Sequence, residues 1–317
     1  MADQKRGDFE TNGQNEKPFE NILNFRDVGK TINNLLGEKR MAEGKLFRSA
    51  RPDDATLSDR KRLREEYGIK TIMDLRTVSA ALSLPDIHTN QRSTEHANQL
   101  KKREGDLKIP ALVQSNAALA EPLQISGIKY LEVNINGKGF ERSLLWQLKY
   151  WSFIKLVALM ASGYRMQAIS ILGREVMQPR GLVGLGFDSI DHCGPEIAEA
   201  LREFSNPANH PVLTHCTQGK DRTGLLIAFI LLLLEIPVLA IAHDYVMSES
   251  ELLPERESRL VEIRSIGLTE DFAGCPPGWI EEMRKHLEEK YGGVRAYCRG
   301  IGFTEAEEER LIGGFKG

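Results

Sequence analysis

Cys216 and Arg222 are separated by five residues in the run His215-Cys216-Thr217-Gln218-Gly219-Lys220-Asp221-Arg222-Thr223-Gly224. A cysteine attacks as its thiolate, and neighbouring cations such as Arg222 and Lys220 favour that form. The planar guanidinium of Arg222 can meet two oxygens of one phosphoryl group at once. Gly219 lets the backbone approach a ligand with no Cβ in the way. These residue types suit transfer of a phosphoryl group to sulfur. A bare Cys and Arg at this spacing would more often be a buried thiol beside a surface cation. The His, Gly, Lys, Asp, Thr and Gly around them favour chemistry instead.

Two elements must position this run. The short apolar stretch Pro211 to Thr214 reads as a buried strand, and the uninterrupted apolar stretch Leu225 to Leu234 reads as a core helix. A loop between them turns its backbone N–H groups inward at a helix N-terminus, which is an anion site. Cys216 then lies at the floor of a bowl lined by Thr217, Gln218, Gly219, Lys220 and Thr223.

His-Cys, five residues, then Arg-Thr-Gly resembles the signature loop of the cysteine-dependent protein tyrosine phosphatase superfamily. The Gly-Lys-Asp-Arg-Thr-Gly form resembles its bacterial and fungal branch with lipid-phosphatase-like loops. Asn24-Phe25-Arg26-Asp27 and Leu46-Phe47-Arg48-Ser49 resemble the opening segments of that branch. Taken alone, the two segments read as a solvated hairpin with local ion pairs. Helix Leu57 to Tyr67, capped by Ser58, then strand Ile69 to Leu75 and Asp74-Leu75-Arg76 continue the likeness, as do helices at Pro276 to Tyr291, Val294 to Gly302 and Thr304 to Ile312. Asp74 and Arg76, at a strand end, either line the rim or hold loops by ion pairing.

The resemblance implies an α/β fold with a phosphotyrosine-phosphatase-like central sheet flanked by helices, helical insertions and C-terminal helices. It implies two-step hydrolysis through a cysteinyl-phosphate, with no metal or other cofactor. His215 would support the cysteine by a backbone hydrogen bond, and Thr223 would donate to the sulfur or assist the second step. Lys220, placed at the bowl rim, would favour polyanionic substrates such as phosphoinositides.

The chain departs from the family's pattern at one point. After the strand Ile128 to Ile135 the related phosphatases carry an aspartate that protonates the leaving oxygen, but here the loop reads Asn136-Gly137-Lys138-Gly139-Phe140-Glu141. Asp221 is the first candidate to replace it, being already held at the bowl, and Glu141 is the second. Asp188 and Asp191, 28 and 25 residues before Cys216, read as caps at a helix start, and Gly181 to Asp188 as a turn.

Composition bounds the rest. The 317 residues, 41% hydrophobic and 27% charged, suffice for one large α/β domain, and a net charge of −3 makes no electrostatic case for nucleic acid. The polar stretch 1–20 reads as a flexible tail without a secretory signal. The phosphatase-like domain is expected over 21–317, with a loop-rich insertion over 79–124 that holds the basic triplet Lys101-Lys102-Arg103. No transmembrane segment is expected, because Glu235 and Pro237 interrupt the one long apolar stretch. Four widely spaced cysteines suit a reducing, cytoplasmic setting. Ser143 to Ile171 predicts core or lid helices in which Trp146, Tyr150, Trp151, Phe153 and Ile154 serve packing. His243 reads as a packed, hydrogen-bonded histidine. Three functions stay open: a protein tyrosine phosphatase, with or without dual specificity; a phosphoinositide phosphatase of the same chemistry; and an inactive phosphate-binding adaptor.

Overall fold

The computed structural model describes residues 18–76 and 124–317. The expected tail to residue 17, and the expected insertion over 79–123 with its basic triplet, lie outside them.

Five short strands form one sheet: β1 (Arg26–Asp27), β2 (Leu46–Ser49), β3 (Thr71–Asp74), β4 (Lys129–Glu132) and β5 (Val212–His215). Their spatial order is β1-β2-β5-β3-β4. All neighbours are parallel except β1 and β2, which pair antiparallel. β5, last in sequence, therefore sits between β2 and β3. The register aligns Ser49, His215 and Asp74 across the three strands. The loop after β5 thus leaves the sheet at carboxyl strand ends where the strand order switches, the usual site crevice of open α/β sheets.

The sheet is covered on both faces, and side chains alternate between the two cores with the strand period of two. Leu46, Met73 and Val212 enter the larger core, while Phe47, Ile72 and Leu213 enter the smaller one. Each such burial contributes roughly 1.5–3 kcal/mol. Phe19, Phe25, Phe47 and Tyr67 close the smaller core with mutual ring contacts of 4.6 to 5.6 Å.

Helices fill the intervals: α1 (Val28–Leu36), α2 (Leu57–Glu65), α3 (Lys138–Trp146), α4 (Tyr150–Ala161), α5 (Arg165–Leu172), α6 (Gln178–His192), α7 (Gly194–Ser205) and α8 (Asp221–Leu233). The C-terminal layer is α9 (Val238–Glu251), α10 (Arg256–Ser265), α11 (Trp279–Tyr291), α12 (Val294–Gly300) and α13 (Glu305–Phe315). α8 is apolar all round because it is buried all round, from Leu225 to Leu231 without interruption. α13 begins with the expected capping box of Thr304 and Glu307.

Several local expectations are corrected. The cap of α2 is Thr56 with Asp59 closing a capping box, two residues earlier than Ser58. The glycine-rich Gly181 to Asp188 is helical rather than a turn, the chain bending only at Gly181, where φ is 61°. Asp188 and Asp191 lie late in α6 and cap nothing. Asp188 pairs with Arg180, and Asp191 receives His286, Lys290 and Tyr291 of α11, each at 2.7 Å. Trp146, Tyr150, Trp151, Phe153 and Ile154, expected to pack, are exposed.

Candidate active site

The loop from Cys216 to Lys220 has two unlike sides. Its carbonyl oxygens are all taken. That of Thr217 accepts from the amide of Arg51, that of Gln218 from Asn24 Nδ2 at 2.8 Å, that of Gly219 from Arg48 Nη2 at 2.6 Å, and that of Lys220 from the amide of Gly224 at 2.7 Å. The amide N–H groups of Thr217, Gln218, Gly219 and Lys220 donate to no acceptor among the described residues. Buried donors without protein partners at a helix N-terminus are what an oxyanion requires. Among the described residues, the buried side-chain oxygens Thr217 Oγ1, Gln218 Oε1 and Thr223 Oγ1 likewise lack a partner. Such atoms rarely stay unsatisfied, so water or a bound ligand is their natural partner.

Gly219 makes this turn possible. Its φ is 63°, and a Cβ there would fall 1.9 Å from the carbonyl oxygen of Ser49 at the end of β2. Only glycine fits a left-handed turn pressed so closely on a neighbouring strand.

A buried charge cluster holds the carbonyl side. Asp244, on α9, accepts from Arg26 Nε at 2.8 Å and from Arg48 Nη1. Arg26 also reaches the Asp244 carbonyl, Ser248 Oγ at 3.0 Å and Asn24 Oδ1, and the Asn24 amide returns to the loop. The expectation of a solvated hairpin with local pairs is therefore wrong, since Asn24, Arg26 and Arg48 are buried under the loop. Burial alone would raise the Asp244 carboxyl, but the two guanidinium groups bring it below its ordinary range. Burial brings Arg26 down to about 10. His243, expected to pack, faces solvent; its neighbour Asp244 does the structural work. The sequence signal for Asp244 was a carboxylate inside the otherwise apolar stretch Val238 to Tyr245.

Cys216 lies beneath the loop with 2% of its surface exposed, and Arg222, in the first turn of α8, is 4% exposed. Arg222 Nη1 donates to the carbonyl of Leu75 at 3.2 Å, which ties the guanidinium to the end of β3. His215 Nδ1 lies 3.2 Å from the carbonyl of Cys216, an acceptor only, so that nitrogen carries the proton. Burial lowers the His215 pKa, with Asp74 partly offsetting it from 3.9 Å. Burial raises the Asp74 carboxyl, but His215 and Arg76 bring it down to about 2. Arg76 bridges Asp74 and Asp53, holding the neighbouring loop rather than facing the bowl.

Lys220 is not at the rim. It is fully buried, donating to the carbonyl of Gly274 at 2.6 Å and pairing with Asp221 Oδ1 at 2.9 Å. Asp221 opens α8 and, with Arg222, lines a small cavity shared with Asn136, Phe140, Leu182, Leu185 and Trp279. Glu141 is not among that cavity's lining residues, and burial raises its carboxyl. A larger cavity of about 380 Å³ opens beside Gln218, lined by Glu249, Arg256, Glu270 and Gly274 among others. All four cysteines are free. Among the described residues no helix is long and apolar enough to cross a membrane.

A cysteine-bearing loop between a buried central strand and a buried helix, with an arginine six positions on, is consistent with the architecture of a cysteine-based phosphatase. The chain belongs to the tyrosine phosphatase family, whose profile matches residues 17–142 and 173–314. It is similar to a tyrosine-protein phosphatase of Nostoc commune, 27% identical over 163 residues, covering 46% of this chain and 55% of that one. It is also similar to the triple specificity protein phosphatase PtpB of Mycobacterium tuberculosis (strain ATCC 25618 / H37Rv), 29% identical over 121 residues, 33% of this chain and 44% of that one. The chain thus spans about half the length of the curated relatives it matches.

Proposed function

We propose that this protein is a cysteine-dependent phosphoric monoester hydrolase acting as a protein tyrosine phosphatase. The observation that carries this reading is the two-sided loop, with four carbonyls tied down and four amides left facing away from them. That arrangement is preorganised for the three equatorial oxygens of a phosphoryl group in flight.

In the first step the Cys216 thiolate attacks phosphorus and the P–O bond to the leaving group breaks. Asp221 gives its proton to the departing oxygen. The loop amides and the Arg222 guanidinium hold the equatorial oxygens throughout. In the second step water attacks the cysteinyl-phosphate and returns a proton to Asp221, and the P–S bond breaks to release inorganic phosphate and the thiolate. His215 holds the backbone beneath the cysteine, and Thr223, whose buried hydroxyl has no partner among the described residues, serves the sulfur after transfer. Lys220 acts from below, steering Asp221 rather than meeting substrate.

The test is turnover of a phosphotyrosine peptide by wild type and Cys216→Ser. Wild-type turnover with a silent variant that still binds phosphate supports the mechanism. Equal turnover by both removes Cys216 as nucleophile, and a silent wild type leaves the phosphate-binding adaptor. A second reading is a phosphoinositide phosphatase of the same chemistry, favoured only in that the Mycobacterium relative's name gives it more than one specificity. Comparing kcat/KM for the peptide with that for a phosphoinositide separates the two.

A further inference from the structure

The helical hairpin of α4 and α5 is unlike the rest of the surface. Leu156 is the one buried residue of α4, although that helix reads Tyr-Trp-Ser-Phe-Ile-Lys-Leu-Val-Ala-Leu-Met-Ala. A helix so apolar on every side is normally enclosed. Here Trp146 is 82% and Trp151 77% exposed, with Tyr150, Phe153, Ile154, Val157, Tyr164 and Met166 also open. α5 roots the hairpin through Ala168, Ile169, Ile171 and Leu172, and Ser162 and Gly163 make its tip.

The charge of this segment is equally one-sided. From Arg142 to Arg174 every charged residue is basic (Arg142, Lys149, Lys155, Arg165 and Arg174), although the whole chain carries −3. All five are exposed. The family profile, which covers the chain on either side, breaks over 143–172, so the hairpin is an addition to the shared fold.

We propose that this hairpin is a docking surface for an anionic lipid bilayer. Tryptophan and tyrosine settle at the level of lipid headgroups, where an apolar ring and a polar edge are both accommodated. Basic residues interleaved with them, and no acidic ones, match a negative surface. An acidic protein surface would complement the same charges, but it has no headgroup level at which exposed tryptophan and tyrosine settle. The twelve residues of α4 span about 18 Å, too short to cross a bilayer and suited to lying in its interface. α3 enters the hairpin and α6 leaves it, and Phe140 of α3 and Leu182 and Leu185 of α6 line the cavity at Asp221 and Arg222. The hairpin is thus joined on both sides to helices that wall this cavity. The proposal concerns binding and stands apart from the catalytic reading.

The experiment is co-sedimentation of the full chain with vesicles of phosphatidylcholine alone and with vesicles containing phosphatidylserine. The expected result is binding to the second that weakens with salt and falls at least ~10-fold in Trp146→Ser/Trp151→Ser. Lys149→Glu/Lys155→Glu should lose the preference for phosphatidylserine. The thermal unfolding midpoint of each variant checks that the fold is kept. Exposed Trp146 and Trp151 also report directly, since their emission should shift to the blue on vesicles while buried Trp279 contributes no change. No vesicle binding, or binding indifferent to the tryptophan substitutions, overturns the proposal. So does a dimer in solution that the same substitutions dissolve, which would make a second copy the occupant.

Discussion

Arg48, fully buried at the centre of β2, donates from Nη2 to the carbonyl oxygen of Gly219 at 2.6 Å, holding the backbone of the loop from beneath. The other half of its guanidinium is neutralised by Asp244. The charge on Arg48 thus goes to orienting a peptide whose amide donates to no acceptor among the described residues.

Removing the counter-charge should be costly. Asp244→Asn leaves two guanidinium groups buried with no carboxylate, a loss of roughly 3–5 kcal/mol. Urea unfolding should show this as a lower midpoint. A midpoint unchanged within error would mean that the cluster is solvated.

Gly219→Ala should damage turnover more than folding. The left-handed backbone costs a non-glycine residue roughly 1–2 kcal/mol, whereas the Cβ beside the Ser49 carbonyl must move the loop itself. Misaligned amides cost on the order of 10²-fold in kcat. If kcat instead held steady while stability fell, the loop amides would not be the phosphoryl site.

Asp221→Asn tests the leaving-group acid. An alkyl phosphate, whose departing oxygen needs a proton, should slow by ~10²-fold or more, while an aryl phosphate with an acidic leaving group slows much less. Equal losses on the two substrates would point to a positioning role through Lys220 instead.

Acid should destabilise the protein in two stages. His215 has a lowered pKa when folded, so below its ordinary value of about 6.5 the unfolded chain takes up a proton that the folded one refuses, and stability falls. Asp74, held at about 2 against roughly 3.9 unfolded, contributes stability that is whole above pH ~4 and gone below ~2. Denaturant midpoints from pH 7 downward should show both stages, His215→Asn weakening the upper, which His210 shares, and Asp74→Asn the lower, which Asp244 and Asp191 share. A flat profile above pH 5 in the wild type would contradict the burial of a neutral His215.

The central part of this site was legible because it is local. The apolar stretches on either side of Cys216 and Arg222 dictate a strand and a helix, and the loop between them follows. What holds the loop was not legible in the same way. Asn24, Arg26 and Arg48 stood out only by likeness, and Asp244 only as a carboxylate in an apolar stretch, with nothing local to name its partners 218 and 196 residues away. Lys220 was misplaced because a lysine beside a phosphate loop looks the same in sequence whether it faces up or down. Trp146 and Trp151 were read as packing because periodicity cannot distinguish an enclosed apolar helix from an uncovered one. Asp188 and Asp191 were taken for caps because the glycines before them hid a continuing helix.

The bond from Arg26 to Asp244 also constrains when the protein can begin to work. Arg26 leaves the ribosome early and must wait for α9 before its charge is met, so Cys216 is synthesised before the loop around it can be braced. A nascent chain stalled just after α8 would already carry the whole signature run and yet remain inert. Its competence should come no earlier than Asp244, and later still if it waits for Gly274 and Trp279, rather than with the emergence of Cys216.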